Sequence, residues 1–298
     1  MRLSEDWSAA YSRHLAEIRG TDWRKELEAL TDGVEAGDVQ LENVFIDADQ
    51  LAHCVRGAVR LISIEPATLV LTEWQGGADP SCDALSQLIG EARARAEALG
   101  ATRVMTRINA ARFSEAYRRA LGEAGFRRQG RRVEYRMPVS ALPPEGPSEL
   151  RWRTMREAAK PAVAETLYAV AGDGPDALNV SDGRDVIARL LHGPYADADP
   201  RSVQLGTLGG LGVCVLFVRV DADSGWATVA YMGVRPEFRR RGIGAQAHRH
   251  GFAVIRALGG VLYHDGTSSE NQAMIRLFET HGCIEHERME EWVWRTAG

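Results

Sequence analysis

Three arginines and two glycines stand together in Arg239-Arg240-Arg241-Gly242-Ile243-Gly244. An apolar segment rich in β-branched residues, Trp226–Val234, precedes them and reads as a strand. Ile243–Leu258 follows and reads as a helix. The first-turn N–H groups of such a helix have no partner inside it, and the helix dipole adds positive potential there. Glycine lets the backbone approach a ligand closely. Arginine supplies delocalised charge and paired donors. Residues Arg239 to Ala245 therefore predict a cradle for a phosphate or pyrophosphate. Two other anion loops fit less well. Gly242-Ile-Gly-Ala-Gln-Ala247 matches the dinucleotide pattern GxGxxA, with Asp265 downstream. However, Arg235–Arg241 separates strand from glycine, and too few residues follow Gly244 for the remaining strands of that fold. A Walker A loop is excluded, because no Gly-Lys-Ser/Thr follows. The blander alternative is a glycine turn flanked by solvated arginines.

A cradle of this kind needs elements to hold it. Upstream, Glu149–Arg153 reads as a short strand and Met155–Val170 as a helix. Ala171–Arg201 is rich in Gly, Asp and Pro and carries one short helical stretch, Arg184–Leu191. Ser202–Thr207 and Leu211–Val220 read as a hairpin around Gly209-Gly210. Downstream come a short strand, Val261–His264, a helix ending at the glycine cap Gly282, and a strand, Glu290–Arg295. Strands interleaved with separate helices predict an α/β fold with a mixed sheet. Ser140–Ser148 contains Pro143, Pro144, Gly146 and Pro147, and divides the chain into 1–140 and 147–298. The halves resemble each other. Ala116, Arg119 and Gly125 recur in order as Ala273, Arg276 and Gly282, and Arg132–Met137 recurs as Glu290–Arg295.

The loop Arg239-Arg-Arg-Gly-Ile-Gly244 resembles the R/Q-x-x-G-x-G/A pyrophosphate loop of the GCN5-related N-acetyltransferases, the GNAT family. Its lead-in, Met232-Gly-Val234 and then Arg235-Pro-Glu-Phe, is similar as well. Asn271, Met274, Leu277 and Gly282 resemble the family's second signature. The resemblance covers about 149–295, with a weaker copy in the first half. It implies two GNAT domains in tandem, a degenerate one in 1–140 and one in 147–298 carrying an acetyl-CoA site. Acetyl-CoA would be a co-substrate, with no metal. Met232, Gly233 and Val234 would pair with the pantetheine arm beside a splayed strand. Arg239, Arg240, Arg241, Gly242, Ile243, Gly244 and Ala245 would hold the pyrophosphate. Asn271 would touch the arm or cap the next helix, and Phe278 would lie beside the cofactor.

The departures from the family pattern concern proton transfer. Phe278 stands where the family often has a tyrosine acid, Cys283 replaces the usual aromatic after the last glycine, and Trp226–Val234 lacks the frequent glutamate base. Direct attack by a positioned amine needs only proximity, and Tyr231, His264 and Asp265 lie near the expected splay as substitute catalytic groups. In the first half Asp83 stands where Gly242 would, and a carboxylate repels a pyrophosphate. That half is expected to wall the acceptor cleft rather than bind CoA. The aspartates of Ala171–Arg201, namely Asp173, Asp176, Asp182, Asp185, Asp197 and Asp199, would suit an amine or cationic acceptor, expected to be a small-molecule amine, or form a solvated acidic loop. A silent acyl-CoA sensor or scaffold is the competing expectation.

Composition sets the outer limits. The chain has 298 residues, 45% apolar and 26% charged, with net charge −5. This predicts a globular protein and argues against nucleic-acid binding. No apolar run is long enough for a membrane helix, and the charged N-terminus has no signal-like core. A cytoplasmic protein of bacterial type, monomeric as a pseudo-dimer or a homodimer, is expected. The four cysteines form no CxxC pair and read as free thiols. His248 and His250, two apart on a helix, read as surface residues.

Overall fold

The computed structural model describes residues 1–19, 21–36, 39–49, 54–65, 67–72, 74–76, 82–111, 115–158, 160–170, 199–222 and 224–296. It has two compact units, 1–131 with 288–298, and 132–287. These differ from the halves expected at the proline-rich linker. The boundaries fall inside two strands, so each half of the sequence contributes its last strand to the other half's unit. A strand's own alternation tells which face is apolar, not which sheet edge it joins.

The first unit opens with two helices, α1 (Glu5–Arg19) and α2 (Trp23–Glu35). Strands β1 (Val44–Asp49), β2 (Cys54–Glu65), β3 (Thr68–Leu71) and the short β4 (Gln75–Gly76) follow. Then come α3 (Cys82–Ala98), β5 (Arg103–Asn109) and α4 (Glu115–Glu123). The C-terminal strand β12 (Ile284–Arg295) pairs antiparallel with β5, Trp294 opposite Val104. Leu85, Ile89 and Ala92 of α3, Tyr117 and Leu121 of α4, Ile108 of β5 and Trp294 share one core.

The second unit begins within β6 (Arg127–Pro138) and continues with β7 (Arg151–Thr154), α5 (Lys160–Val170), β8 (Val203–Leu208) and β9 (Leu211–Val220). It is completed by β10 (Trp226–Val234), α6 (Ile243–Ala257), β11 (Leu262–Ser268) and α7 (Gln272–Thr280). Its strand order is β6-β11-β10-β9-β8-β7, and only the β10–β11 pair is parallel. Alternation along β9 assigns the two faces. Leu216 and Val218 pack with Phe252 and Ile255 of α6 and with Phe278 of α7. Val215 and Phe217 pack with Val163, Leu167 and Val170 of α5. The predicted helix Arg184–Leu191, and Asp173, Asp176, Asp182, Asp185 and Asp197, lie outside the described residues.

Candidate functional site

The site is made by two strands that part. Strands β10 and β11 share only two register positions, Trp226 opposite Leu262 and Ala227 opposite Tyr263. Beyond them β10 stays with β9 and β11 stays with β6. The register of β10 on β9 also slips between Thr228 and Tyr231, a β-bulge that sets two residues against one. The slip changes what Tyr231 faces. Ala227 and Val229 belong to the α6-side core, and simple alternation would send Tyr231 there too. Instead Tyr231 packs with the α5-side core, edge-on to Phe217 at 6.1 Å.

A half-buried aspartate, Asp265, occupies the point of parting. Asp265 Oδ2 accepts the Val229 N–H at 3.1 Å and the Tyr263 hydroxyl at 3.0 Å, and Oδ1 accepts the Gly266 N–H at 2.8 Å. The Val229 N–H thus finds a side-chain oxygen in place of a ladder carbonyl. Burial pushes the Asp265 carboxyl up to about 7, against the pull of these donors. The polar chain continues inward. Tyr263 Oη lies 3.0 Å from His248 Nε2, and His248 Nδ1 lies 2.8 Å from His281 Nδ1. Burial drives His248 down to about 3, so its ring is neutral.

This geometry revises several expectations. Asp265 is half-buried, its carboxylate taken up by three donors, and lies on the α6 side with Tyr263, whereas His264 lies on the opposite face of β11. Tyr231, His264 and Asp265 therefore do not form one constellation; Tyr231 and His264 share a face and Asp265 does not. Phe278, expected beside the cofactor, is 1% exposed and stacks on Tyr135 at 4.3 Å, inside the core. His248 is buried rather than at the surface, because it shares the inward face of α6 with Ala247, Gly251, Phe252 and Ile255. His250 stacks on Trp152 at 4.1 Å and pairs with Glu145. Asp199 is bound through both carboxylate oxygens to Arg201, whose hydrogen bonds hold it down at about 2.

The loop beyond β10 has the features of a cradle. Gly242 caps α6 with φ +78° and no side chain capping the helix. An added Cβ at Gly242 would meet nothing within 4 Å, so the backbone conformation, rather than crowding, asks for glycine there. Arg240 also has positive φ, +62°. Arg239, Arg240, Arg241 and Gly242 are exposed, and Ala245 is half-buried. Ile243 is buried and anchors the turn beside Val213 and Ala247. A Cβ at Gly244 would only touch Leu277 at ordinary distance, 3.6 Å, so the chain's own packing leaves room for one. Arg239 Nε donates to the Val234 carbonyl at 3.0 Å, tying the loop to the strand end. Met232 and Val234 pack beside Ile243, and Gly233 makes room for Val170 of α5. Asn271 caps α7, its side chain accepting the Met274 N–H at 3.1 Å. In the first unit Asp83 sits in the first turn of α3.

Among the described residues no cluster of three or more His, Cys, Asp or Glu is placed to hold a metal. No helix of the described residues is long and apolar enough to cross a membrane.

Sequence residue Glu134 contributes to the site in a way that a split at the linker concealed. It lies on β6 opposite Gly266, buried, with its carboxylate over the glycine. The signal that could have found it is Gly266 itself, a glycine in a strand, which marks a close approach.

Residues 206–283 match the model of the acetyltransferase (GNAT) family. A search of curated protein sequences finds no match. Among solved structures, the chain is similar to a GCN5-related N-acetyltransferase from Sphaerobacter thermophilus, at 17% identity and TM-score 0.70, over 99% of this chain and 94% of that one. A GCN5-related N-acetyltransferase from Kribbella flavida matches at 18% identity and TM-score 0.58, over 82% and 88%. A tandem GNAT protein from the clavulanic acid biosynthesis pathway matches at 14% identity and TM-score 0.54, over 83% and 81%. The family match thus falls within the second unit, and the likeness to the solved structures is one of fold.

Proposed function

We propose that this chain is an acetyl-CoA-dependent N-acyltransferase that acts on a primary amine of a small molecule, with its cofactor site in the second unit. The observation that carries the reading is the uncapped N-terminus of α6, opened by Gly242 in the left-handed conformation and preceded by the exposed Arg239, Arg240 and Arg241, at the end of a splayed strand. The first-turn N–H groups and the arginines would hold a pyrophosphate. When bound, acetyl-CoA supplies an activated acyl thioester. The parted edge of β10 over Met232–Val234 leaves backbone groups to pair with the pantetheine arm, and an N–H there would polarise the acyl carbonyl. Tyr231 faces the α5 side of the splay. Burial raises its pKa, so the hydroxyl keeps its proton and can give it to a departing sulfur. The first unit, with Asp83 in the first turn of α3, would not bind CoA and would act structurally.

Calorimetric titration of acetyl-CoA into the protein and into Gly242→Asp tests this. One binding site, lost in the variant, is the expected result. Binding that survives the substitution would move the site elsewhere, and no binding by the unsubstituted chain would end the reading.

A further inference from the structure

The α5-side face of the splay holds a second group of charged residues, distinct from the Asp265 chain. Strand β6 places Arg132, Glu134 and Arg136 there, alternating with Val133, Tyr135 and Met137, which face the α6 side. Strand β11 places His264 and Gly266 on that same face, with Glu134 directly opposite Gly266. A Cβ on Gly266 would overlap the Glu134 carboxylate, so the glycine is what lets that carboxylate lie across the strand. Arg132 clamps it. Its Nη2 donates to the Gly266 carbonyl at 2.6 Å and its Nε to Glu134 Oε1 at 3.2 Å. The other carboxylate oxygen, Oε2, lies 3.9 Å from His264 Nε2. That nitrogen is buried and has no hydrogen-bond partner among the described residues. The Glu134 side chain is 9% exposed and that of His264 26%. A carboxylate thus sits buried behind a histidine that keeps contact with the outside.

We propose that Glu134 is the positioning residue for His264, and that His264 takes the proton from the acceptor amine. This rests on the acyltransferase reading above. A proton on His264 Nε2 faces Glu134, which leaves the Nδ1 lone pair for the ammonium group of the substrate. His264 takes one proton from that ammonium. The freed nitrogen lone pair forms the C–N bond as the thioester C–S bond breaks. The sulfur receives the Tyr231 hydroxyl proton, the second N–H proton restores that hydroxyl, and His264 returns its own proton to solvent. Charge and atoms balance, with one proton released per acyl group moved. The 3.9 Å separation is an ion-pair distance that closes to a hydrogen bond as the ring takes a charge.

The groups around His264 give the sign of its titration. Burial lowers its pKa, Glu134 raises it, Arg136 and His286 lower it, and Glu287 raises it. Trp226 packs edge-on against the ring at 5.0 Å. Removing the Glu134 charge therefore lowers the His264 pKa.

The test follows CoA thiol release from acetyl-CoA against pH over a panel of primary amines. It uses the full chain, Glu134→Gln, Glu134→Asp and His264→Gln, with acetyl-CoA binding measured calorimetrically on each. The expected result is unchanged binding throughout and a loss of about 10²-fold or more in kcat/KM for His264→Gln. Glu134→Gln should move the acid limb of the profile to lower pH, and Glu134→Asp should move it back. Glu134→Gln keeps the side chain's shape over Gly266, so it separates charge from packing. Thiol release untouched by His264→Gln, or binding with no release from any amine, overturns the pair while leaving the cradle in place. Absence of acetyl-CoA binding removes the acyltransferase reading itself, and the pair with it.

Discussion

Asp265 holds β10 away from β11 by offering Val229 a side-chain oxygen where a ladder carbonyl would otherwise be. Its burial has a thermodynamic sign. An unfolded aspartate titrates near 4, and the folded carboxyl titrates at about 7. Between those values the folded state binds more protons than the unfolded one, so stability falls as pH rises across the window. Each unit of difference corresponds to about 1.4 kcal/mol. Asp265→Asn keeps an acceptor for Val229 and removes the titration. Chemical denaturation at pH 4.5 and 7.5 should therefore show a flatter pH dependence in the variant than in the unsubstituted protein. An unchanged slope would mean that Asp265 is ionised in the fold across the whole window. The sequence places Asp265 near the splay as a substitute catalytic group, a role shared with Tyr231 and His264. Alternation was legible over Val261–His264 and sets Tyr263 and His264 on opposite faces, but the strand so read stops short of Asp265, which β11 places with Tyr263. The bulge in β10 was not, because nothing in the run Thr228-Val229-Ala230-Tyr231 marks the extra residue.

Helix termini carry the chemistry at the scale of elements, and the chain treats its helices differently. Helix α7 is capped by Asn271, as a helix meant only to pack should be. Helix α6 has glycine at the same position, which offers its first-turn donors no capping side chain. Asn271→Ala removes one accepted N–H bond and should cost roughly 1 kcal/mol of stability, read as a lowered melting temperature, with Asn271→Asp close to the original. Equal melting for Asn271→Ala would show that the cap contributes nothing there. The contrast was visible in the residue types alone, since Asn before Gln272–Thr280 and Gly before Ile243–Ala257 are opposite terminus signals. The inward histidine was also visible in principle. His248 lies one residue past Ala247 and four before Phe252, on the inward stripe of α6, and a polar residue on that stripe implies buried partners. A period argument cannot name those partners, because Tyr263 and His281 come from other elements.

The whole molecule differs most from what the linear sequence suggests. The proline-rich linker is real punctuation in the chain, yet the compact units cross it. Glu134 therefore precedes the linker while serving the unit that carries the cradle, and a fragment 147–298 would lack it. The reciprocal case is β12. Its residues Met289–Arg295 pair with β5, Trp294 enters the core of α3 and α4, and buried Glu290 accepts from Arg118 Nε of α4 at 3.0 Å. The first unit is thus incomplete until the last residues of the chain are present, a pairing of very high sequence separation that is slow to form. A fragment 1–140 would leave the edge of β5 unpaired and the site of Trp294 empty. Truncating a buried tryptophan alone costs about 3–5 kcal/mol, a large share of the 5–15 kcal/mol that stabilises a typical domain. Fragment 1–140 should accordingly show fast amide exchange over Arg103–Asn109 and no sharp thermal transition. Adding a synthetic peptide of residues 288–298 should slow that exchange, because it restores both the strand and the indole. Trp294→Ala in that peptide should restore the strand pairing far less well. A fragment 1–140 that melts as sharply as the full chain would show that β12 is dispensable to the first unit.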